Sequence, residues 1–209
     1  DGVATVSYKQ GKTRYQREYF TSNPDQVLVI RCTASRKKAI TATLSLRLLR
    51  YMAQQSTSCQ QVKALPGHTR QADLIADGDA RFDKNGEGGV NYHTHLRVLT
   101  EGGSLLTTDS TIIVRNADTM TIFCDIRTDF QNEGYKSLCD ETISRVSSLS
   151  YSDLLNRHTT DFHSLSDRMT FSVGSKSGDV KTTDQLFADA RAGKPAPEFD
   201  ALFFHYGRY

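Results

Sequence analysis

The sequence predicts a mainly β protein: an antiparallel β-sandwich, then a short α-helical linker, then one further helix. Three observations carry this reading. Apolar and polar residues alternate with period two through most of the first two-thirds of the 209 residues. Turn-forming clusters separate the alternating runs at short intervals. After about Gly134 the apolar spacing lengthens to that of a helix face.

The strands follow in order. Leu28, Ile30, Cys32 and Ala34 share one face of a strand. Ile40, Ala42, Leu44, Leu46 and Leu48 alternate with Thr41, Thr43, Ser45 and Arg47, a strand with one wet face. Tyr92, Thr94, Leu96 and Val98 alternate with His93, His95 and Arg97. Met120, Ile122, Cys124 and Ile126 form another face. Turns are expected at Gln10-Gly11, Asn23-Pro24-Asp25, Glu101-Gly102-Gly103 and Asn116-Ala117-Asp118. Arg36-Lys37-Lys38 reads as a solvated turn rather than a basic patch. Gln54 to Gly89 is polar and Gly-rich, and is expected to be a long excursion with one short strand near Ala72 to Ala76.

The helical part begins with a face shared by Tyr135, Leu138, Thr142, Val146 and Leu149. A second helix opens at Ser150, where Ser150 and Asp153 resemble a capping box. Its stripe is Tyr151, Leu154, Leu155, His158, Phe162 and Leu165. Met169 to Gly174 reads as a short strand. Thr183 could cap a brief helix containing Leu186, Phe187 and Ala190, which Gly193 would end. Pro197 then suits the first turn of a last helix, whose Phe199, Leu202, Phe203 and Tyr206 share one face. So apolar a helix is expected to be buried, against partners that these residues do not supply. The division expected is 1–133 for the sandwich, 134–196 for the linker with its short strand, and 197–209 for the last helix.

Composition narrows the function classes. Lys plus Arg is 26 and Asp plus Glu is 24, a net charge of +2. Nothing in that balance points to nucleic acid or an anionic membrane. No apolar run approaches the roughly 18 residues of a membrane span. Residues 1–10 show neither a basic leader nor a signal-peptide core. Cys32, Cys59, Cys124 and Cys139 form no CxxC pair, and buried thiols are favoured over disulfides.

Candidate chemistry is sparse. His93 and His95 project from one strand face, a spacing that can serve a metal. Arg97 shares that face and no carboxylate adjoins it in sequence, so an exposed polar face is the favoured reading. His158 and Asp161, an i, i+3 pair, could form an acid–base couple. The apolar stripe favours instead a buried histidine held by a carboxylate or a carbonyl, docking one layer on another. His163 points elsewhere. Asp77, Asp79, Asp83 and Glu87 loosely follow a calcium loop but miss its spacing, which leaves a solvated loop as the reading. No GxSxG, phosphate-binding glycine loop or HExxH occurs. No catalytic, metal or cofactor residue is therefore assigned.

Three stretches, taken in order, resemble a known family. They are Arg17-Glu18-Tyr19-Phe20 with Ser22 and Pro24-Asp25-Gln26-Val27; His158, Asp161, Phe162, Leu165 and Arg168; and Leu202 with Tyr206-Gly207-Arg208-Tyr209. The chain resembles glycoside hydrolase family 95, the inverting α-L-fucosidases, some of which act on α-L-galactosides. The resemblance implies a β-sandwich, a helical linker and an (α/α)6 barrel that carries the chemistry. This chain would be the later part of the sandwich, the linker and the first barrel helix, and both ends look truncated. The family's acid glutamate, and its water-activating aspartate and asparagine, would lie beyond the Tyr206–Tyr209 match. The implied partners are the catalytic barrel of the same parent chain and, through it, an oligosaccharide; the implied compartment is periplasmic or extracellular. The alternative is a free-standing carbohydrate-binding or structural sandwich, against which the lack of Trp and the apolar last helix both argue.

Overall fold

The computed structural model describes residues 1–47, 60–66, 70–80, 89–130, 132–174 and 181–208. It divides into two compact units, Asp1–Phe162 and His163–Tyr209.

The first unit is built on ten described strands. They are β1 (Ala4–Gln10), β2 (Thr13–Ser22), β3 (Val27–Ala34), β4 (Ile40–Ser45), β5 (Gln60–Pro66), β6 (Gln71–Ala80), β7 (Val90–Glu101), β8 (Ser104–Thr107), β9 (Thr111–Ala117) and β10 (Thr119–Thr128). A seven-stranded sheet runs β1-β2-β3-β10-β7-β6-β5, and a three-stranded sheet runs β4-β9-β8. Every pairing is antiparallel.

Local chemistry sets the corners. Gln10-Gly11 joins β1 to β2, and the exposed Arg36-Lys37-Lys38 turn lies between β3 and β4. The Lys38 amide donates to Asp118 Oδ1 at 2.6 Å, which ties this turn to the one before β10. Between β7 and β8 the backbone needs glycine. Gly103 has φ +68°, and a Cβ there would stand 2.3 Å from the Arg115 carbonyl oxygen.

Two cores lie on opposite faces of the larger sheet. Between the sheets, Cys32, Leu74, Val98, Met120 and Ile122 meet Ile40, Ile112 and Val114 of the smaller sheet. The register places Met120 beside Cys32, and Ile122 between Ile30 and Val98, so these side chains share one face. On the other face, Phe20, Val27, Val29 and Phe123 pack with Ile143, Val146 and Leu154 of two helices. These are α1 (Tyr135–Val146) and α2 (Tyr151–Ser166). Strand β3 is therefore apolar on both sides, which explains its unbroken Val27-Leu28-Val29-Ile30 run.

The buried stripe of α1 is Cys139, Thr142, Ile143 and Val146. It is rotated from the expected one, and Leu138 faces solvent. The small Cys139 side chain permits the rotation: it is fully buried, with its thiol 3.4 Å from the Asp125 carbonyl. At α2, the Ser150 hydroxyl donates to Asp153 (2.7 Å) and accepts from its amide (3.1 Å), as the sequence suggested.

The second unit holds α3 (Thr183–Arg191) and α4 (Pro197–Arg208). The capping residue of α3 is Thr182, in a reciprocal box with Gln185, one position before the expected Thr183. Phe187 of α3 meets Phe199 of α4 at 5.9 Å between ring centroids. Residues Met169 to Gly174 form no strand. Their carbonyls are taken by α4 instead: Arg208 donates to Met169, and His205 to Phe171.

The segment expected to be an excursion holds the short strand expected near Ala72 to Ala76, as part of the longer β6, and one further strand, β5. Its polarity misled the reading, because Asp73 of β6 pairs with Arg97 of β7 and Asp77 with Lys136 of α1.

Candidate functional site

The densest chemistry in the chain is a charged layer between β6, β7 and α1. Registry builds it: Asp73 stands opposite Arg97, Ile75 opposite His95, and Asp77 opposite His93. Three of these polar side chains come from alternate positions of β7, so they leave the sheet on one face. Helix α1 lies over that face and adds Asp140 and Lys136.

The contacts form a connected chain. His93 Nδ1 is 2.9 Å from Asp77 Oδ1, and its Nε2 is 3.3 Å from Asp140 Oδ1. His95 Nδ1 is 2.6 Å from the same Asp140 oxygen. His95 Nε2 stands 3.5 Å from Asp73 without a hydrogen bond. Arg97 donates to both oxygens of Asp73 at 2.8 and 2.9 Å, and to the Ser147 hydroxyl at 3.0 Å. Lys136 reaches Asp77 at 2.6 Å. On the far side Arg127 links Asp125 to the Thr142 hydroxyl.

His93 and His95 are buried, which overturns the exposed polar face expected for them. The sequence could not show that a helix some forty residues on covers this face. Asp77 and Asp79 lie on β6 rather than in a loop, whereas Asp83 and Glu87 fall outside the described residues. Among the described residues no group of three or more His, Cys, Asp or Glu could hold a metal ion.

The layer acts as a clamp. Burial would raise the Asp73 carboxyl, but the hydrogen bonds from Arg97, helped by the nearby His95 ring, outweigh it and hold it at about 2. At Asp77, too, burial is outweighed, by the hydrogen bonds from Lys136 and His93, and the carboxyl is lowered. Both stay ionised near neutrality; Asp77 holds α1 through Lys136, while Asp73 fixes Arg97, which donates to the Ser147 hydroxyl at the end of α1.

A second clamp fixes both helices to the β2–β3 hairpin. Asp25 is fully buried in that turn. It accepts from Arg145 of α1 at 3.2 Å and pairs with Arg157 of α2 at 3.0 Å. Its carbonyl takes a further bond from Arg145, and Ser22 donates to its other carboxylate oxygen. Nearby, Tyr151 donates to Glu18 at 2.9 Å while Arg31 lies over its ring.

His158 is buried and stacks on Phe20 at 4.8 Å; its Nε2 donates to the Gly2 carbonyl at 3.2 Å. That is the docking role with the carbonyl partner. Asp161 accepts from Asn23, and exposed His163 pairs with Asp167. Of the residues that carried the family resemblance, Glu18, Phe20, Ser22, Asp25, His158 and Asp161 take part in latching linker to sandwich, whereas Arg17 bonds Tyr8 and Leu165 is exposed.

Among the described residues the thiols offer no nucleophile. Cys32, Cys124 and Cys139 are free. Burial pushes Cys124 up to about 11 and Cys139 up to about 12, so both stay protonated at neutral pH. Cys59 lies outside the described residues.

Residues 1–133 match the family model described as glycosyl hydrolase family 65, N-terminal domain. The chain belongs to this family. Residues 150–209 match the model described as glycosyl hydrolase family 95 catalytic domain. The chain is also similar to alpha-L-fucosidase 2 of Arabidopsis thaliana, 26% identical over 99% of the chain. It spans 27% of the length of that relative. Among solved structures it is similar to a putative kojibiose phosphorylase from the human microbiome. The TM-score is 0.42 and the identity 9%, over 77% of this chain and 23% of that one. The resemblance drawn from the three motifs is thus shown by comparison of whole segments. As a member of the family, the chain is a glycoside hydrolase-related β-sandwich with appended helices.

Sequence reading missed Asp140, Asp25 and the two arginines that reach Asp25. A signal for the first clamp did exist. Asp73 and Asp77 are four apart, as are His93 and Arg97, which lets two antiparallel strands set each carboxylate opposite a nitrogen donor. It becomes visible only once β6 is accepted as a strand.

Proposed function

We propose that residues 1–209 are a non-catalytic scaffold of a glycoside hydrolase that releases L-fucose, or L-galactose, from α-linked sugars with inversion. The observation that carries this is the last helix. Within the stretch matched to a catalytic domain, Leu202, Phe203 and Tyr206 of α4 are exposed, Phe203 and Tyr206 by 70% and 78%. Side chains of this kind, on a helix with no buried residue, suit a wall that the rest of a barrel covers. The catalytic barrel of the same parent chain is then the partner, and an oligosaccharide reaches the protein through it.

The two clamps support the scaffold role. Ion pairs of Asp77 with Lys136 and of Asp25 with Arg145 and Arg157 hold α1 and α2 to the sheet. In the parent enzyme a carboxylic acid would protonate the glycosidic oxygen while a second group activates water on the opposite face. Those groups belong to residues outside this chain.

The test uses the longer protein that carries these residues. Incubated with an aryl α-L-fucoside and followed by proton NMR, it should release first the sugar anomer of inverted configuration. Release of the retained anomer, or no release from fucoside and galactoside alike, would sink the proposal.

A further inference from the structure

We propose that the cavity between the large sheet and the first turn of α2 binds an acidic saccharide, with Arg31 and Arg70 taking its carboxylate or sulfate group. That the ligand is a saccharide rests on the hydrolase reading above. That it is an anion rests on the cavity alone.

Register sets the place. Arg31 of β3 stands between Glu18 of β2 and Thr121 of β10, and Thr121 stands opposite Leu99 of β7. Side chains paired in this way leave the sheet on one face. It is the helix face, because Leu99 packs on the core that Phe123 shares with Ile143 and Leu154. Two residues along the same face, Thr119 stands opposite Glu101. The start of α2 covers part of this surface, and the Tyr151 ring lies against the Arg31 guanidinium at 4.5 Å. Beside it is a cavity of about 560 Å³. Leu99, Phe123 and Leu149 line it with apolar surface, and Arg31, Arg70, Glu101, Thr119 and Thr121 with polar groups. An apolar floor with a few convergent polar groups is the ordinary make-up of a small-ligand site.

The polar groups of this cavity are left with donors to spare. The carboxylate placed to neutralise Arg31 is Glu18, its cross-strand neighbour. Both Glu18 oxygens are engaged elsewhere. The Tyr151 hydroxyl donates to Oε2 at 2.9 Å, and the Gln16 side-chain amide donates to Oε1 at 3.2 Å. Among the described residues the Arg31 side chain has no ion pair and no hydrogen bond; what holds it is the Tyr151 ring. Stacking uses the flat face of a guanidinium and leaves its N–H edge to donate. Thr121 is only 8% exposed, and its hydroxyl has no hydrogen-bond partner among the described residues. A buried hydroxyl without a partner costs stability that a bound ligand would recover. Arg70 is exposed at the β6 side of the cavity and has no ion pair among the described residues.

This lining selects the ligand class. Two guanidinium groups against the single carboxylate of Glu101 give the cavity a positive balance. A neutral sugar would leave both arginines without a counter-charge. A guanidinium fork matches the paired oxygens of a carboxylate or a sulfate. A bare inorganic anion would satisfy the arginines but would face Glu101 with nothing to donate to it. A molecule that carries an acid group and several hydroxyls serves both, since its hydroxyls can donate to Glu101 and bond Thr119 and Thr121. The C–H face of a pyranose suits the apolar surface of Leu99 and Leu149.

The experiment is phenylglyoxal modification of arginines in the longer protein that carries these residues, read by peptide mass spectrometry. It is run with D-glucuronate, D-glucose 6-sulfate, D-glucose or sodium sulfate at equal concentration. Expected is modification of Arg31 and Arg70 slowed at least about fivefold by one or both acidic sugars at saturation, which also tells carboxylate from sulfate. D-Glucose and sodium sulfate should leave both rates unchanged, and Arg36 in its exposed turn should not respond to any of the four. Arg70, being exposed, reports even if stacking on Tyr151 slows Arg31. Thr121→Val and Arg70→Gln remove no side-chain hydrogen bond or ion pair made among the described residues. Each should raise the Kd of the protecting sugar at least about threefold by isothermal titration calorimetry. Protection by D-glucose equal to that by the acidic sugars would mean a neutral-sugar site. Equal protection by sodium sulfate would mean a bare anion site. Equal rates in all four solutions, or a Kd unmoved in both variants, would mean no such site. Each of these overturns the proposal. The hydrolase reading fails separately, on the anomer measurement, which follows released sugar and not Arg31.

Discussion

Replacing Asp73 with Asn probes the clamp under α1 at its most buried ion pair. Asp73 and Arg97 are each 13% exposed at the side chain, and the guanidinium grips both carboxylate oxygens. The carboxyl sits at about 2 rather than the usual 3.8. A drop of nearly two units corresponds to about 2 kcal/mol. Because the folded-state value is depressed, that stability is present above about pH 4 and is lost as the pH falls towards 2. Asn keeps the shape and one acceptor but removes the charge, leaving Arg97 poorly compensated. Breaking a buried pair outright costs about 3–5 kcal/mol. The variant is therefore expected to lose about 2–4 kcal/mol at pH 7. Urea unfolding followed by far-UV circular dichroism, repeated from pH 7 to pH 2, would measure it. Between pH 4 and pH 2 the unsubstituted chain should lose about 2 kcal/mol more than the variant. A loss under about 0.5 kcal/mol at pH 7, or parallel pH profiles, would refute the reasoning.

Other outcomes follow from the same packing. Arg145→Ala or Arg157→Ala alone leaves Asp25 one cationic partner beside the Ser22 hydroxyl and should cost about 1–2 kcal/mol. Together they strand a fully buried carboxylate and should cost about 3–5 kcal/mol, more than the sum of a weak pair, as a double-mutant cycle in urea would show. Gly103→Ala forces a Cβ towards the Arg115 carbonyl at a left-handed backbone position. A loss of at least about 2 kcal/mol is expected by thermal melting, and an unchanged melting temperature would contradict the geometry. Thr182→Ala removes the cap of α3, at about 1 kcal/mol. Faster amide exchange at Gln185 and Leu186, with the sandwich unaffected, is the expected readout.

The fold was legible where each strand has a distinct wet and dry side. Strand β4 shows this, with Ala42 and Leu44 inward and Thr41 and Thr43 outward. Legibility failed where charge replaces apolar burial. His93, His95 and Arg97 lie on a covered face, yet their types match those of a solvated one. The cover comes from Asp140 and Lys136, distant in sequence, and no local pattern joins them to β7. Strand β6 was expected only as a short piece near Ala72 to Ala76, and its extension to Ala80 was obscured for the same reason, since Asp77 reads as a loop residue until its partners are known. The hairpin and linker motifs were readable only as a resemblance. Their physical meaning, Asp25 held by two arginines and His158 stacked on Phe20, emerges in three dimensions. The strand expected at Met169 to Gly174 shows the converse, because its backbone carbonyls bond to Arg208 and His205 of a helix rather than to a neighbouring strand.

The central claim is that this chain braces a catalytic domain and does not itself hydrolyse sugar. Purified residues 1–209 incubated with an aryl α-L-fucoside, beside the longer protein at equal concentration, test it most directly. No aryl alcohol above the buffer rate is expected from residues 1–209, with steady release from the longer protein. Turnover by residues 1–209, retained through repurification and sequence verification by mass spectrometry, would contradict the account.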